Sequence, residues 1–294
     1  MIQYFSLLVV LVSATFTVHA GQVTAQQFVD LQQGDSMHPG FRRAHAKGMC
    51  ISGEFHSNGA LSKLSEATIF KPGRSAFLGR VSIAGNNPYA PDLKAPVRSM
   101  ALLFNSEGAQ QWRIAMNTPP VMAVTNVDDF YQQIVAIKQG PAAIKAFFKA
   151  HPESADFIAW KERYQSTSSF ALETYHSINA FYLVDENNTK QAVRWAFQPS
   201  TSSAVSGQKL TGNDALFEEL QQRLSHGPVA FDWVFTLADT QDDEHNPAKR
   251  WPASREQIVA GTVTITDWQA QQGGRCDGMN FDPTVLPKGI ALTN

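Results

Sequence analysis

Several segments of the chain alternate bulky apolar residues with polar or small ones, which is the two-residue period of a half-buried β-strand. Every odd position in 231–237 is bulky and apolar, and the same period runs through 112–117 and 262–266. Two further apolar segments, 180–184 and 192–197, flank the polar run DENNTK, whose composition suits the turn of a hairpin. The pattern predicts antiparallel strands joined by short loops.

Helical signals are confined to the middle of the chain and to one later segment. Asn126 can cap a helix that has two aspartates in its first turn, and Gly140-Pro141 then ends that helix and begins the next. Residues 142–150 and 154–161 carry the apolar faces of short helices. A longer amphipathic helix is predicted over 213–226, where a Gly-Pro pair ends it.

The composition provides enough apolar material for one large core. Of 294 residues, 43% are hydrophobic and 17% are charged, and no repeat or long linker divides the chain. The runs STSSAVSG and TQDDEHNPAKR are predicted loops. Strands of this number and aromatic content, with helices outside them, favour an α+β protein built on an antiparallel β-barrel with peripheral helices. Such a barrel hides its strand edges and can enclose a ligand, and we expect one domain over 21–294.

The first residues resemble a secretion signal. An apolar run closes on Val18-His19-Ala20, a small-residue pattern like a signal-peptidase site, and the run is too short to span a bilayer. No Lys or Arg precedes it, so a buried N-terminal helix is the alternative. We expect a signal peptide over 1–20, a mature chain from Gly21, and a periplasmic or secreted protein that the membrane does not retain.

Charge and cysteine content narrow the classes of partner. The formal net charge is -2, from 24 basic and 26 acidic side chains, which gives no cationic surplus for a nucleic acid. Cys50 and Cys276 do not have metal-ligand spacing. An oxidising compartment would permit them to pair, but cysteines are often buried unpaired, so two core thiols are predicted.

Five short motifs then appear in a recognisable order within the stretch between Phe41 and Ile290. They are FRRAHAKG from Phe41 to Gly48; Gly79-Arg80-Val81-Ser82 followed by Gly85, Pro88 and Asp92; Met116-Asn117-Thr118-Pro119; Asn179-Ala180-Phe181; and Arg250-Trp251-Pro252. This series resembles the haem catalase superfamily, and the short chain is most similar to its minimal members, the catalase-related peroxidases. The resemblance implies a catalase-like barrel, haem b, and the use of hydrogen peroxide to oxidise small organic donors.

The resemblance also implies roles for three polar residues. Cleaving the O–O bond of a peroxide needs a group that takes a proton from one oxygen and returns it to the other, and neutral imidazole suits both steps. His45 is predicted to be that group, Ser82 to orient its second nitrogen, and Asn117 to stabilise charge that develops on oxygen. The alternatives are an ordinary core histidine, a solvent-facing strand hydroxyl and an asparagine that only caps a turn.

Cofactor binding is assigned in the same way. Arg42 and Arg80 match the arginines that hold the haem propionates, since guanidinium groups bind carboxylates in bidentate geometry. Their alternative is solvated charge at strand ends. Phe130 is predicted to pack on the porphyrin, with plain core packing as its alternative, and Arg43 and Lys47 are expected to be surface charges.

One element of the family pattern is missing from the sequence. The family ligates iron through a tyrosine in an R-x-x-x-Y setting on a helix after a P-G-I segment, whereas this chain has Pro287-Lys288-Gly289-Ile290 and ends at Asn294. None of its six tyrosines has an arginine four positions earlier, so no iron ligand is assigned. We expect a chain truncated before that helix; the alternative is a protein that has lost the ligand. Two other functions therefore remain open: a barrel that binds haem or a hydrophobic ligand without turnover, and an enzyme that converts lipid hydroperoxides.

Overall fold

A computed structural model describes residues 22–105, 111–200 and 211–293. The predicted signal peptide and most of the predicted loop that begins at Ser200 lie outside these residues. In the described part of the chain, no helix is both long enough and apolar enough to cross a bilayer.

The described residues form ten strands and five α-helices. The strands are β1 (Gly48–Ser57), β2 (Gly73–Ile83), β3 (Arg98–Asn105), β4 (Gln111–Asn117), β5 (Tyr175–His176), β6 (Phe181–Val184), β7 (Lys190–Pro199), β8 (Val229–Leu237), β9 (Gln257–Ala270) and β10 (Ile290–Leu292). The helices are α1 (Ala25–Gln33), α2 (Val127–Gln139), α3 (Pro141–Ala150), α4 (Ala155–Arg163) and α5 (Ala215–His226). Every strand and helix predicted from the sequence is present, with ends that differ by a few residues.

The strands close into an antiparallel barrel. The circuit β1-β2-β3-β4-β5-β7-β8-β9 has eight strands, and it closes because β9 pairs with β1 and β7 pairs with β8. Strand β6 pairs with the first half of β7, and β10 pairs with β6, so these two extend the sheet beside the barrel. The predicted α+β barrel with peripheral helices is confirmed.

Aromatic side chains fill the barrel interior. Trp112 and Trp233 stack with ring centroids 5.1 Å apart, and Phe55 and Phe104 pack on Trp233 at 4.9 and 5.6 Å. All four are buried, and burying one such ring stabilises the fold by about 1.5–3 kcal/mol. Because these side chains fill the interior, the barrel does not enclose a ligand there, and the expectation that it could is wrong for this face of the sheet. Ligand chemistry has to be sought on the other face of the sheet.

The helices lie outside the barrel and have the predicted ends. The Asn126 side chain accepts a hydrogen bond from the Asp129 amide at 2.9 Å, which caps α2. Gly140 then adopts a φ of +101°, which an L side chain rarely does, and Pro141 begins α3. Helix α1, which the glutamine-rich sequence did not reveal, packs against α2 through Phe28 and Phe130, whose rings are stacked 5.8 Å apart.

Cys50 and Cys276 form a disulfide, so the prediction of unpaired thiols is wrong. Both cysteines are buried, as expected, but the chain after β9 turns back across β1 and brings their Cα atoms to 5.4 Å. That distance lies in the usual range for a disulfide. The bond ties the segment that follows β9 to the wall of the barrel.

Candidate active site

Strand register brings the predicted polar residues together on the outer face of the barrel. Ser82 on β2 lies opposite Ser99 on β3, and Ser99 lies opposite Asn117 on β4. Residues directly opposite each other in antiparallel strands point to the same face, so the three side chains form one row. A second row, two residues along the same strands, consists of Arg80, Ala101 and Ala115. Val81, Met100 and Met116, which alternate with these positions, belong to the packed interior.

His45 reaches this face from the loop before β1, where its backbone is held in an unusual conformation. Its φ is +51°, in the left-handed region that costs a non-glycine residue about 1–3 kcal/mol. The neighbouring structure supports it, because the Ala46 amide donates to the Gly85 carbonyl at 2.9 Å and Arg80 Nη2 donates to the His45 carbonyl at 2.5 Å. The strained backbone thus aims the imidazole at the row of polar side chains.

Ser99 determines which nitrogen of His45 carries the proton. Its hydroxyl donates to Oδ1 of Asn117 at 2.5 Å, and its oxygen lies 3.3 Å from Nδ1 of His45. A hydroxyl has one hydrogen, so the Ser99 oxygen accepts from Nδ1–H, and Nε2 of His45 is left as the proton acceptor. The same contact turns the Asn117 amide so that its oxygen faces Ser99 and its NH2 group is left to donate.

Ser82 is farther from the ring than Ser99, with its hydroxyl 3.5 Å from Nδ1 of His45. The sequence pointed to Ser82 and missed Ser99. The only signal for Ser99 in the sequence was a polar residue at the second position of β3. Its place beside the imidazole follows from the pairing of β3 between β2 and β4, which the sequence does not show. The orienting role of Ser82 stays a prediction.

The site holds His45 in its neutral form. Burial is the largest cause, and the charges of Arg80 and then Arg42 act in the same direction; together they lower the pKa of its imidazole to about 4. The ring is therefore neutral near pH 7 and is able to accept a proton, as general base chemistry requires.

Arg42 and Arg80 place two positive charges at one edge of the site. Their hydrogen bonds in the described part of the chain go to carbonyl oxygens and to the Gln271 amide, not to a carboxylate. Burial, and next the charge of Arg42, lower the pKa of Arg80 to about 9; burial also lowers the pKa of Arg42, which Asp277 partly offsets. Arg80 is buried and Arg42 is half-buried. Cations in such positions without a bonded carboxylate favour an anionic ligand, and two carboxylates of a planar group would satisfy both.

A cavity of about 240 Å³ joins these residues. His45 and Asn117 line it together with both arginines, and Ala101 and Ala115 give it a floor of small side chains. The segment Met279–Phe281 lies against Arg42, which donates to the Met279 carbonyl and sits 5.9 Å from the centre of the Phe281 ring. Pockets that bury a drug-sized molecule measure about 300–1,000 Å³, so these residues would cover one face and one edge of a macrocycle rather than all of it.

The donor set fits a haem on that face and edge, but the described residues do not supply an iron ligand. The five described tyrosines all lie outside the cavity lining. Burial, and next the negative charge of Glu173, raise the pKa of Tyr164 to about 12. The same two causes raise the pKa of Tyr175, which lies inside the barrel. His176 pairs with Asn117 across β4 and β5, but it also lies outside the cavity lining. Burial, and next the charge of Arg250, lower the pKa of its imidazole to about 4.

Three other predicted residues lie elsewhere. Phe130 packs on Phe28 and is absent from the residues that line the cavity, so its contact with a porphyrin stays a prediction. Arg43 is exposed as expected. Lys47 is 6% exposed and donates to the Ala90 carbonyl, so its prediction as a surface charge is wrong: its ammonium is buried among carbonyl oxygens.

In the described residues, the fold and site define a class: an eight-stranded antiparallel barrel that carries a buried neutral histidine, an oriented amide and two arginines without a bonded carboxylate on its outer face. The chain belongs to the catalase family, whose sequence model matches residues 26–227. Members of this family are oxidoreductases of the peroxidase and catalase type, and the family implies a haem cofactor. The family assignment made from the five motifs is confirmed.

Two relatives are similar over almost the whole chain. A catalase-related peroxidase of Synechococcus elongatus is 32% identical over 292 residues, which cover 96% of this chain and 86% of the relative. A catalase-related peroxidase of Mycolicibacterium paratuberculosis is 28% identical over 281 residues, which cover 92% of this chain and 89% of the relative.

Solved catalases share the fold at low sequence identity. A bacterial catalase superposes with a TM-score of 0.73 and 19% identity, and a fungal catalase with a TM-score of 0.74 and 13% identity. Each comparison covers 86% of this chain, and the chain spans about half the length of these catalases, 53% and 56% respectively.

Proposed function

We propose that this protein uses hydrogen peroxide to oxidise small organic donors, with His45 as the acid and base and with haem b held through its propionates by Arg42 and Arg80. The observation that carries the proposal is the hydrogen-bonded series from Asn117 through Ser99 to His45, which leaves Nε2 of a neutral imidazole free to accept a proton. The two relatives named catalase-related peroxidases support the same reaction class.

The chain's own residues would handle the protons of this reaction. A bound haem would supply the redox centre that passes oxidising equivalents from peroxide to donor. His45 Nε2 would take a proton from one peroxide oxygen and return it to the other, so that this oxygen leaves as water. The NH2 group of Asn117 would donate to the oxygen on which negative charge develops. In the full cycle, two donors that each lose one electron and one proton reduce one hydrogen peroxide to two waters.

Export to the periplasm or beyond the cell is part of the proposal. The apolar N-terminal run ending in a small-residue site supports it. The buried Cys50–Cys276 disulfide also supports it, since such bonds persist in oxidising compartments. Mass spectrometry of the N-terminus of the protein recovered from its native compartment tests this: a chain that begins at Gly21 is expected, and one that begins at Met1 in the cytosol contradicts it.

The enzymatic proposal is tested with the protein loaded with haem. A Soret band and peroxide-dependent oxidation of a dye donor are expected. His45→Ala should lower kcat/KM for hydrogen peroxide by about 10²–10⁴-fold without preventing haem binding, because it removes only the proton acceptor. His151→Ala is the matched control, since His151 stacks on Phe147 and is not part of the cavity lining. Tight haem binding without turnover would instead favour a carrier, and a higher kcat/KM for a fatty-acid hydroperoxide than for hydrogen peroxide would favour a lipid hydroperoxide enzyme.

A further inference from the structure

A second cavity, of about 370 Å³, opens beside the first at the end of the barrel where β1, β9 and α5 meet. We propose that it is the binding site for the organic electron donor, and that it takes a phenol or arylamine that is neutral or positively charged. This inference rests on the proposed peroxidase function and adds to it the place and the chemical class of the donor.

The walls of this donor cavity are suited to an aromatic ring. Met49 and Phe217 form a buried apolar floor, with 3% and 6% of their surface exposed. Phe41 and Trp268 are only half-buried, so they still have apolar surface that a ligand can cover. Mouths of barrels are frequent positions for small-molecule sites, and a volume of this size falls within their usual range.

The charges around the donor cavity favour a cation over an anion. Lys47 pairs with Asp214 at 2.8 Å, so these two charges offset each other. Glu218 is the exposed carboxylate that remains on the lining, and the half-buried Gln221 can offer its amide oxygen to a hydroxyl or amine. An anionic phenol would meet repulsion from Glu218, whereas an ammonium group would be attracted.

A thin wall separates the donor cavity from Arg80. Gln271 lines the donor cavity, and its Oε1 accepts a hydrogen bond from Nε of Arg80 at 2.9 Å. Gly48 lines the same cavity, and a Cβ atom at this position would lie 2.2 Å from Nη2 of Arg80. The guanidinium therefore packs directly on the Gly48 backbone, with a donor molecule on the opposite side.

This arrangement gives a short electron-transfer path from the donor cavity to the active site. Each phenol or arylamine would lose one electron and one proton to become a neutral radical, and two such losses reduce one hydrogen peroxide to two waters. Because Arg80 is proposed to hold a haem propionate, the electron would cross only the wall formed by Gly48, Gln271 and Arg80 between the donor ring and the cofactor edge.

The test compares three donors on the haem-loaded protein: tyramine, a cationic phenol; 4-hydroxyphenylpropionate, an anionic phenol; and iodide, which has no ring. Gln221→Trp should fill the donor cavity and lower kcat/KM for tyramine at least tenfold while activity with iodide is retained. Gln222→Trp is the matched control, because Gln222 is the next residue of α5, is exposed and does not line the cavity. Glu218→Gln should lower the preference for tyramine over the anionic phenol about threefold, and Glu162→Gln on α4 should not change it.

A binding measurement separates failure of this inference from failure of the proposed function. Equilibrium dialysis of tyramine against the haem-loaded protein should show one site that Gln221→Trp abolishes and Gln222→Trp leaves intact. If no donor, including iodide, is oxidised, the peroxidase proposal fails, and the dialysis result still decides whether the cavity binds a cationic phenol. If both tryptophan variants oxidise and bind tyramine like the parent protein, the donor site is not in this cavity.

Discussion

The hydroxyl of Ser99 donates to Oδ1 of Asn117 at 2.5 Å. Its oxygen is also 3.3 Å from Nδ1 of His45, so one serine orients both side chains proposed to act on peroxide. The tautomer of the imidazole and the direction of the asparagine amide are thereby coupled. A change at Ser99 affects both, whereas Ser82, at 3.5 Å from the same nitrogen, is the weaker partner of the ring.

We expect Ser99→Ala to lower kcat/KM for hydrogen peroxide by about 10- to 100-fold, because His45 loses its orienting acceptor and Asn117 is free to turn. Ser99→Thr keeps a hydroxyl and should restore most of the activity. Ser82→Ala should have a smaller effect than Ser99→Ala. Steady-state rates over a pH series check this, since a changed tautomer balance alters the profile as well as the rate. Parent-like activity in Ser99→Ala together with a large loss in Ser82→Ala would assign the orienting role to Ser82 instead.

The strands and several site residues could be predicted from the sequence because their signals are local. The alternation of apolar residues predicted β4 and β8, and the sequence motifs pointed to His45, Ser82 and Asn117. The position of Ser99 depends on which strands pair and in what register, and that information is not local. The same holds for the disulfide, whose cysteines are 226 residues apart in sequence.

Alternation also leaves open which face of a strand carries the chemistry. Arg80 and Ser82 are as well buried as Val81 between them, at 4%, 4% and 0% exposure. Burial therefore does not distinguish the aromatic interior from the site face in this strand. The outer face is identified only when the loop of His45 and the segment Met279–Phe281 are seen to cover it.

A second prediction concerns the stability of the fold in acid. The pKa values of His45 and His176 are lowered to about 4 in the folded protein, below the ordinary value of 6.5, with burial as the main cause in both. Between these two pH values the unfolded chain binds more protons than the folded one, so stability is complete above about pH 6.5 and decreases as the pH falls towards 4.

Urea unfolding of the parent protein and of the double variant His45→Gln/His176→Gln at several pH values measures this contribution. The double variant should lose less stability between pH 6.5 and 4 than the parent protein. His56→Gln serves as the control, because His56 is exposed on β1. An equal acid dependence in all three proteins would contradict the buried, neutral state of the two histidines.

The disulfide gives a third prediction. It joins β1 to the segment after β9, which continues to Asn280 and Phe281 in the cavity lining. Cys50→Ser/Cys276→Ser should lower the free energy of unfolding by about 2–5 kcal/mol, because the unfolded chain is no longer constrained. We also expect faster hydrogen exchange in the segment 271–281 than in β8. Denaturation with and without a thiol reductant checks the assignment: the parent protein should respond to the reductant and the double variant should not.

The contact between Gly48 and Arg80 gives the last prediction. A Cβ atom at position 48 would lie 2.2 Å from Nη2 and 2.3 Å from Cζ of Arg80, so Gly48→Ala should displace a buried guanidinium. Overpacking of this kind costs about 1–3 kcal/mol of stability, and we expect weaker haem binding as well, because Arg80 is proposed to hold a propionate. Gly227→Ala is the matched control, since a Cβ atom there would meet nothing within 4 Å. Chemical denaturation and haem titration measure the two effects. If Gly48→Ala unfolds at the same denaturant concentration as Gly227→Ala and binds haem with the same Kd, the packing of Arg80 on Gly48 does not contribute to the site.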